Sequence, residues 1–275
     1  MVCIVCGTPQ KLAYEKHSYP IWRCPQCGLG ATEIDNSEAI LDLYDESYFQ
    51  GGQSDGYADY LGSEQALRSE FRRALNTMRR YSPPSGNLLE VGCAYGFFLM
   101  EAISHYNCTG LEVSKSAVDY CQSKGLDVYC DTVNEDTIHN YGSFESVVML
   151  DVIEHLPDPN KTISLLSSIM TSGSCLMVTT GDWGTLLARL AGKNWRLMTP
   201  PQHLYFFTRQ SITRLLDAHG LEVLHFKHPW KHVPLGLAIY QLRRFGLPLP
   251  TLKALNKLAL PVNLFDAMRV IARKR

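Results

Sequence analysis

Three groups of residues carry types and spacings that could do chemistry. The first is a cysteine quartet, Cys3-x-x-Cys6 and Cys24-x-x-Cys27, with 17 residues between the pairs. Each pair presents two thiolates from one turn, and two such turns complete a tetrahedron around Zn²⁺. Gly7 and Gly28 each follow the second cysteine of a pair, where a freed backbone N–H is expected to bend toward sulfur. Four thiolates leave no position for water, so the expected ion is structural. The second group is the run Leu88 to Leu99, which reads as strand, glycine turn and helix start. Its spacing, Glu90-x-Gly92-Cys93-x-x-Gly96, departs from the dinucleotide fingerprint G-x-G-x-x-G. A carboxylate at the strand end disfavours a phosphate and suits an ammonium group. Glu112 ends the next strand 22 residues after Glu90, and an acidic residue there can accept both hydroxyls of a ribose. A ligand with a ribose, a cationic amino-acid part and no phosphate is S-adenosylmethionine (SAM). The third group is His155, in Asp151-Val-Ile-Glu-His-Leu-Pro-Asp-Pro159, and His203, in Pro201-Gln-His-Leu-Tyr-Phe-Phe-Thr208.

Something must hold these groups, and the texture of the chain indicates what. Short apolar runs, Leu88 to Val91, Cys108 to Val113, Leu126 to Cys130, Phe144 to Leu150, Cys175 to Thr180 and Leu221 to Phe226, alternate with helical stretches. Asp266 to Ala272 reads as a last strand. Gly125 and Gly220 stop two of the helices, and Asp158-Pro159 is a plausible N-cap and first turn for a third. Strand, helix and strand at this rhythm predict an α/β fold, a doubly wound seven-stranded mostly parallel sheet behind a small N-terminal zinc ribbon. The expected divisions are a ribbon over residues 1–35, a helical cap or linker over 36–82, and the ligand-binding domain over 83–275. In the cap, Leu67, Phe71, Ala74, Leu75 and Met78 recur at helical spacing. A proline- and leucine-rich stretch over 228–263 interrupts the domain as a lid or interface insertion.

The glycine run, the Asp151–Pro159 stretch and the Pro201–Thr208 stretch, in this order behind the cysteines, resemble class I SAM-dependent methyltransferases. They are similar to ubiquinone-type enzymes and resemble a bacterial subgroup, often with an N-terminal zinc ribbon, that acts on small molecules or glycan precursors. The resemblance covers most of residues 87–208 and implies a Rossmann-like methyltransferase. It also implies that Glu90 meets the methionine amino group and that Gly92, Cys93 and Gly96 let the backbone approach. Glu112 would hold the ribose, Val113 would pack on adenine, and Leu150 with Asp151 would flank the ligand. Many relatives read the adenine amine with an acidic residue after the third strand; here Cys130-Asp131-Thr132 occupies that stretch.

Methyl transfer from a sulfonium is an in-line displacement whose donor is already activated, so the protein mainly aligns the partners. A base is needed only where the acceptor must lose a proton, and His155 and His203 are the candidates by position. Each could instead only order its loop. Asp182, Trp183, Trp195 and Tyr205 are candidate pocket walls. The expected reaction is methyl transfer to oxygen or carbon of a small-molecule acceptor, with a sugar or glycan precursor as the first expectation. The rivals are an RNA methyltransferase that grips nucleic acid with the ribbon, and a scaffold that keeps the cofactor site without turnover. The chain has 26 Lys plus Arg against 27 Asp plus Glu among 275 residues, so it lacks the basic surplus of a nucleic-acid binder. Nine cysteines without a secretory signal point to a reducing, cytoplasmic setting. The remaining expected partners are a peripheral membrane contact through the basic, leucine-rich 228–263 stretch and, at most, a second copy in a homodimer.

Overall fold

A computed structural model describes residues 1–35, 60–234 and 259–275. The first part of the expected cap, 36–59, and the centre of the expected lid, 235–258, lie outside the described residues. In the ribbon, β1 (Lys11–Lys16), β2 (Tyr19–Arg23) and β3 (Gly30–Thr32) form an antiparallel ladder. The main sheet contains β4 (Asn87–Val91), β5 (Asn107–Glu112), β6 (Val128–Cys130), β7 (Phe144–Leu150) and β8 (Met170–Gly181). Beyond the two-residue strand β9 (Tyr205–Phe206), the main sheet adds β10 (Leu221–Lys227). A small hairpin, β11 (Lys231–Pro234) with β12 (Ala259–Val262), brackets the undescribed stretch, and β13 (Ala267–Lys274) returns to the main sheet.

The order across the main sheet is β10-β13-β8-β7-β4-β5-β6, as the seven-stranded expectation requires. Strands β4 to β8 run parallel, whereas β13 is antiparallel to both its neighbours. The chain moves outward from β4 to β6, then returns to the other side of β4 with β7. The crevice at the carboxyl ends of β4 and β7 is therefore the topological switch point, the usual ligand site of an open α/β sheet.

Alternation along the strands fills both faces, as a sheet covered on both sides demands. Val91, Met149, Val178 and Val270 face one side with Ile163, Leu166, Ile212 and Leu215. Those residues come from helices Pro159–Ile169 and Arg209–Ala218. Leu88, Val148, Met177 and Ile271 face the other, against Ala74, Leu75 and Met78 of helix α1 (Glu64–Met78) and Phe98 of α2 (Phe97–Ala102). Glu101 of α2 accepts Arg68 and Arg72 of α1 at 2.7 Å each, which fixes α1 over the glycine turn. Asp158 caps its helix as the sequence predicts, its Oδ1 accepting the Lys161 N–H at 2.9 Å. Removing that acceptor in Asp158→Ala will lower stability by about 1 kcal/mol, read as a fall of roughly 2–4 °C in Tm.

Several contacts join ribbon to domain. Strand β9 adds to the ribbon sheet, with Gly30 opposite Phe206 and Ala31 opposite Tyr205. The Thr32 N–H donates to Leu204 O at 2.8 Å, and the Thr208 hydroxyl donates to Cys27 O at 2.9 Å. Gly30 permits this contact, because a Cβ there would lie 2.3 Å from the Trp183 ring. The ribbon is thus built onto the stretch that carries His203.

Candidate active site and metal centre

The cysteine quartet comes together as its spacing predicts. Cys3 Sγ lies 3.5 Å from Cys27 Sγ, and Cys6 Sγ lies 3.4 Å from Cys24 Sγ and 3.7 Å from Cys27 Sγ. All four sulfur atoms fall within 4.8 Å of one another. Tetrahedral Zn–S bonds of ~2.3 Å place sulfur atoms ~3.8 Å apart, so the quartet fits that ion. Burial pushes the Cys3 and Cys27 thiols upward, a cost that a divalent cation removes by ionising them. Burial also opposes ionisation of Cys6, yet the Thr8 hydroxyl and N–H outweigh it and bring this thiol down to about 6. The glycines serve differently from expectation. Their N–H groups close turns onto carbonyls, Gly7 to Cys3 O at 2.9 Å and Gly28 to Cys24 O at 3.0 Å. Glycine is needed there for φ of +69° and +77°, not to reach sulfur.

The glycine turn is built from three left-handed residues, Gly92 (φ +69°), Ala94 (φ +47°) and Gly96 (φ +71°). Gly92 is a close approach of two loops, since a Cβ there would lie 2.6 Å from Val152 Cγ2 after β7. Gly96 is packed from below by Leu126 and Cys121, so its small size serves the turn against the helix that follows β5. Cys93 is buried, and its neighbour Gly110 is the glycine that makes room for it, where a Cβ would lie 2.8 Å from Cys93 Sγ.

Glu112 is buried and accepts two backbone donors, Ala94 N–H at 2.8 Å and Ser114 N–H at 2.9 Å. Sequence reasoning assigned it to a ribose alone and missed that it also braces the glycine turn. Each carboxylate oxygen retains a second lone pair for a ligand hydroxyl. Val113, next to it, is half-buried. Glu90 is 3% exposed, and its Oε2 finds no hydrogen-bond partner among the described residues. Burial, with Cys121 and Glu112 nearby, pushes its carboxyl well above the ordinary range. An Oε2 without a partner among the described residues, near the end of β4, is the feature a ligand ammonium would satisfy. Leu150 ends β7 and Asp151 follows it. Asp151 adopts φ +57°, its N–H donates to Thr179 Oγ1 and its Oδ1 accepts that hydroxyl, each at 3.0 Å.

Five candidate residues are committed elsewhere. Asp131 accepts Thr132 N–H, Asn134 Nδ2 and the Tyr141 hydroxyl. The proposed walls Trp183 and Trp195 are each 2% exposed and belong to a core cluster, so they pack instead of facing a ligand. Trp195 Nε1 and the Arg196 guanidinium both donate to buried Asp266, and Asp182 pairs with His228. Tyr205 is the β9 residue opposite Ala31, with its hydroxyl donated to Pro157 O.

The two candidate histidines meet. His155 and His203 lie edge to face with ring centroids 4.6 Å apart. His155 Nδ1 lies 2.9 Å from Gln202 O, and His203 Nδ1 lies 2.8 Å from Leu197 O. A carbonyl only accepts, so both rings carry the proton on Nδ1 and keep a lone pair on Nε2. Burial lowers both, and for His203 the neighbouring His155 adds to it, bringing that ring to about 3. Both rings are therefore neutral near pH 7, shaped to accept a hydrogen bond. Glu154 joins them, so that the three residues offer ligand atoms within 4.8 Å of one another. The ribbon holds this corner through the Thr32 hydroxyl, which donates to His203 O at 2.7 Å. Thr32→Val will cost about 1 kcal/mol of stability and lower turnover more than cofactor affinity, as paired melting and steady-state kinetics will read.

The comparisons with known proteins agree with this geometry. Residues 63–226 match the family model described as a methyltransferase domain. The chain belongs to that family. The ubiquinone biosynthesis O-methyltransferase of Colwellia psychrerythraea is 24% identical in an alignment 151 residues long that covers 50% of this chain and 61% of that relative. A SAM-dependent methyltransferase from Thermotoga maritima superposes with a TM-score of 0.55 at 17% identity, covering 87% of this chain and all of that one. The magnesium protoporphyrin IX methyltransferase of Synechocystis, solved with bound S-adenosylhomocysteine (SAH), gives 0.54 at 14% identity, again over 87% of this chain and all of that one. At these identities the structures establish the fold, and the family match with the buried Glu90 and the braced glycine turn supports SAM as cofactor. Among the described residues of this methyltransferase, no helix is long and apolar enough to cross a membrane.

Proposed function

We propose that this methyltransferase transfers the methyl group of SAM to an oxygen of a small hydroxylated acceptor, with a sugar or glycan precursor as the first class to test. The observation that carries this reading is the His155–His203 pair, two neutral rings with Nδ1 pinned by backbone carbonyls at the carboxyl end of the sheet. Bound SAM supplies an activated methyl group. Glu90 balances the cationic amino-acid part, Glu112 accepts ribose hydroxyls, and Gly92 with Cys93 and Gly96 shapes the turn that Glu112 braces. Val113 and Leu150 offer apolar surface on either side, and Asp151 holds the β7 loop against β8. The His155–His203 pair offers an Nε2 acceptor to the acceptor hydroxyl, which orients its oxygen toward the methyl group; a ring brought to about 3, as His203 is, holds that hydrogen bond without keeping the proton, which passes on to solvent. We further infer that Cys3, Cys6, Cys24 and Cys27 bind a structural Zn²⁺ that secures the His203 strand through β3 and β9.

The test is a tritiated-methyl assay with SAM against nucleotide sugars, free sugars and hydroxylated aromatic acids. Label recovered in a base-stable ether supports oxygen methylation, whereas label on carbon overturns that part of the reading. His155→Gln and His203→Gln are expected to lower kcat by about 10²–10³ while leaving SAM affinity within a few-fold. Unchanged kcat in both would remove the pair from the reaction.

A further inference from the structure

We propose that Arg269 anchors an oxyanion, a carboxylate or a phosphate, on the acceptor. The proposal rests on the methyl-transfer reading above and narrows its substrate to an anionic molecule. Arg269 lies on β13 and is only 6% exposed. Among the described residues its Nε has no hydrogen-bond partner, and no hydrogen bond or ion pair reaches its guanidinium. An arginine rarely occupies an interior without a partner, because a buried charge left unpaired carries an uncompensated desolvation cost. A fork of donors kept free in this way is matched to a planar carboxylate or a phosphate.

Position ties this residue to the site. Arg269 pairs in register with Thr179 on β8, and Thr179 pairs with Leu150 on β7. Met149 pairs with Val91 on β4, so this row of residues ends at Gly92. Leu150, Thr179 and Arg269 thus share the sheet face and the carboxyl-end level of the glycine turn. Three strand spacings of about 4.8 Å place the Arg269 backbone about 14 Å from Gly92. That separation suits an acceptor lying across β7 and β8 better than the amino-acid part of a cofactor beside Glu90. The nearby charges are Glu70 and Asp151, which attract the guanidinium, and Arg73, which repels it. Asp151 already accepts Thr179, and neither carboxylate forms an ion pair with Arg269. Lys227 is the register neighbour on β10 and adds positive charge on the open side.

The experiment uses zinc-loaded full-length protein saturated with SAH and paired probes that differ only in their anionic group. The pairs are 3,4-dihydroxybenzoate with catechol and glucose 1-phosphate with glucose, each titrated into wild type, Arg269→Met and Arg269→Lys. Wild type is expected to prefer one anionic probe over its neutral twin by about tenfold or more, Arg269→Met to lose that preference, and Arg269→Lys to keep part of it. SAH and 5′-methylthioadenosine, which lacks the carboxylate, are titrated in parallel. Equal SAH affinity in all three proteins places the oxyanion on the acceptor. A loss confined to SAH in Arg269→Met assigns the arginine to the cofactor carboxylate and overturns the acceptor assignment. No anion preference in wild type, or a preference that survives in Arg269→Met, also overturns it. SAH failing to bind folded wild type would instead defeat the methyltransferase reading itself, so the two failures are distinct.

Discussion

Replacing Cys24 with serine, or removing the metal with a strong chelator, will lower Tm by about 10 °C and release the His203 strand to solvent. The magnitude follows from the ribbon's lack of a substantial core of its own. Three short strands bury Ile21, Leu29 and Ala31, and the remaining buried apolar groups at the centre are the cysteines themselves. Structural zinc contributes roughly 10–16 kcal/mol in isolated fingers, and even a third of that lost here is several kcal/mol, at ~2–4 °C each. The effect reaches the active site because β3 is the strand that pairs with β9 among the described residues. Hydrogen exchange will show faster exchange at Thr32, which donates to Leu204 O, and at Trp183, which donates to Phe207 O. The amides of β4 and β7 will remain protected in the main sheet. A Cys24→Ser protein with wild-type melting and wild-type exchange at these amides would show that the quartet carries no metal of structural weight.

The second large effect is at Glu112. Glu112→Ala removes the acceptor for two buried backbone donors, Ala94 N–H and Ser114 N–H, one on each side of the cofactor crevice. Each orphaned donor costs about 1–3 kcal/mol, and Ala94 loses a bond that helps hold its left-handed backbone. A ligand hydroxyl also loses its carboxylate, so SAM affinity is expected to fall by about 100-fold or more, beyond the stability loss. Glu112→Gln keeps a carbonyl for one backbone donor and should recover part of both quantities. Calorimetry beside thermal melting separates them. A destabilised variant that still binds SAM as wild type does would make Glu112 a brace only.

Much of this molecule could be read from the chain because its signals are local. The CxxC spacing, Asp158 before Pro159 and the apolar runs of β4, β5 and β7 each depend on neighbours a few residues away. What escaped detection depends on partners far along the chain. Tyr205 looks like a pocket wall, yet it and Phe206 complete the ribbon sheet through Ala31 and Gly30, some 175 residues earlier. Trp183 and Trp195 look like pocket walls and are buried, because the ribbon and Asp266 enclose them. Glu112 has a position that suits a ribose, but nothing local reveals that Ala94 and Ser114 turn their N–H groups toward it. Arg269 is unremarkable in a last-strand pattern, and only the register with Thr179 and Leu150 brings it to the level of the site. The quartet's glycines were legible as necessary, but left-handed turn geometry is the reason.

The most direct test of SAM dependence is calorimetric titration of SAM into zinc-loaded wild type and Glu90→Gln, repeated in two buffers of different ionisation enthalpy. Glu90 is held well above the ordinary carboxyl range by burial, and a cation bound against it lowers that pKa. Binding is therefore predicted at one site with micromolar affinity, accompanied by proton release in wild type. In Glu90→Gln the proton release should vanish and the affinity should fall by about tenfold or more. A well-folded wild type that gives no saturable heat with SAM, or that binds it identically in both proteins and both buffers, would contradict the assignment.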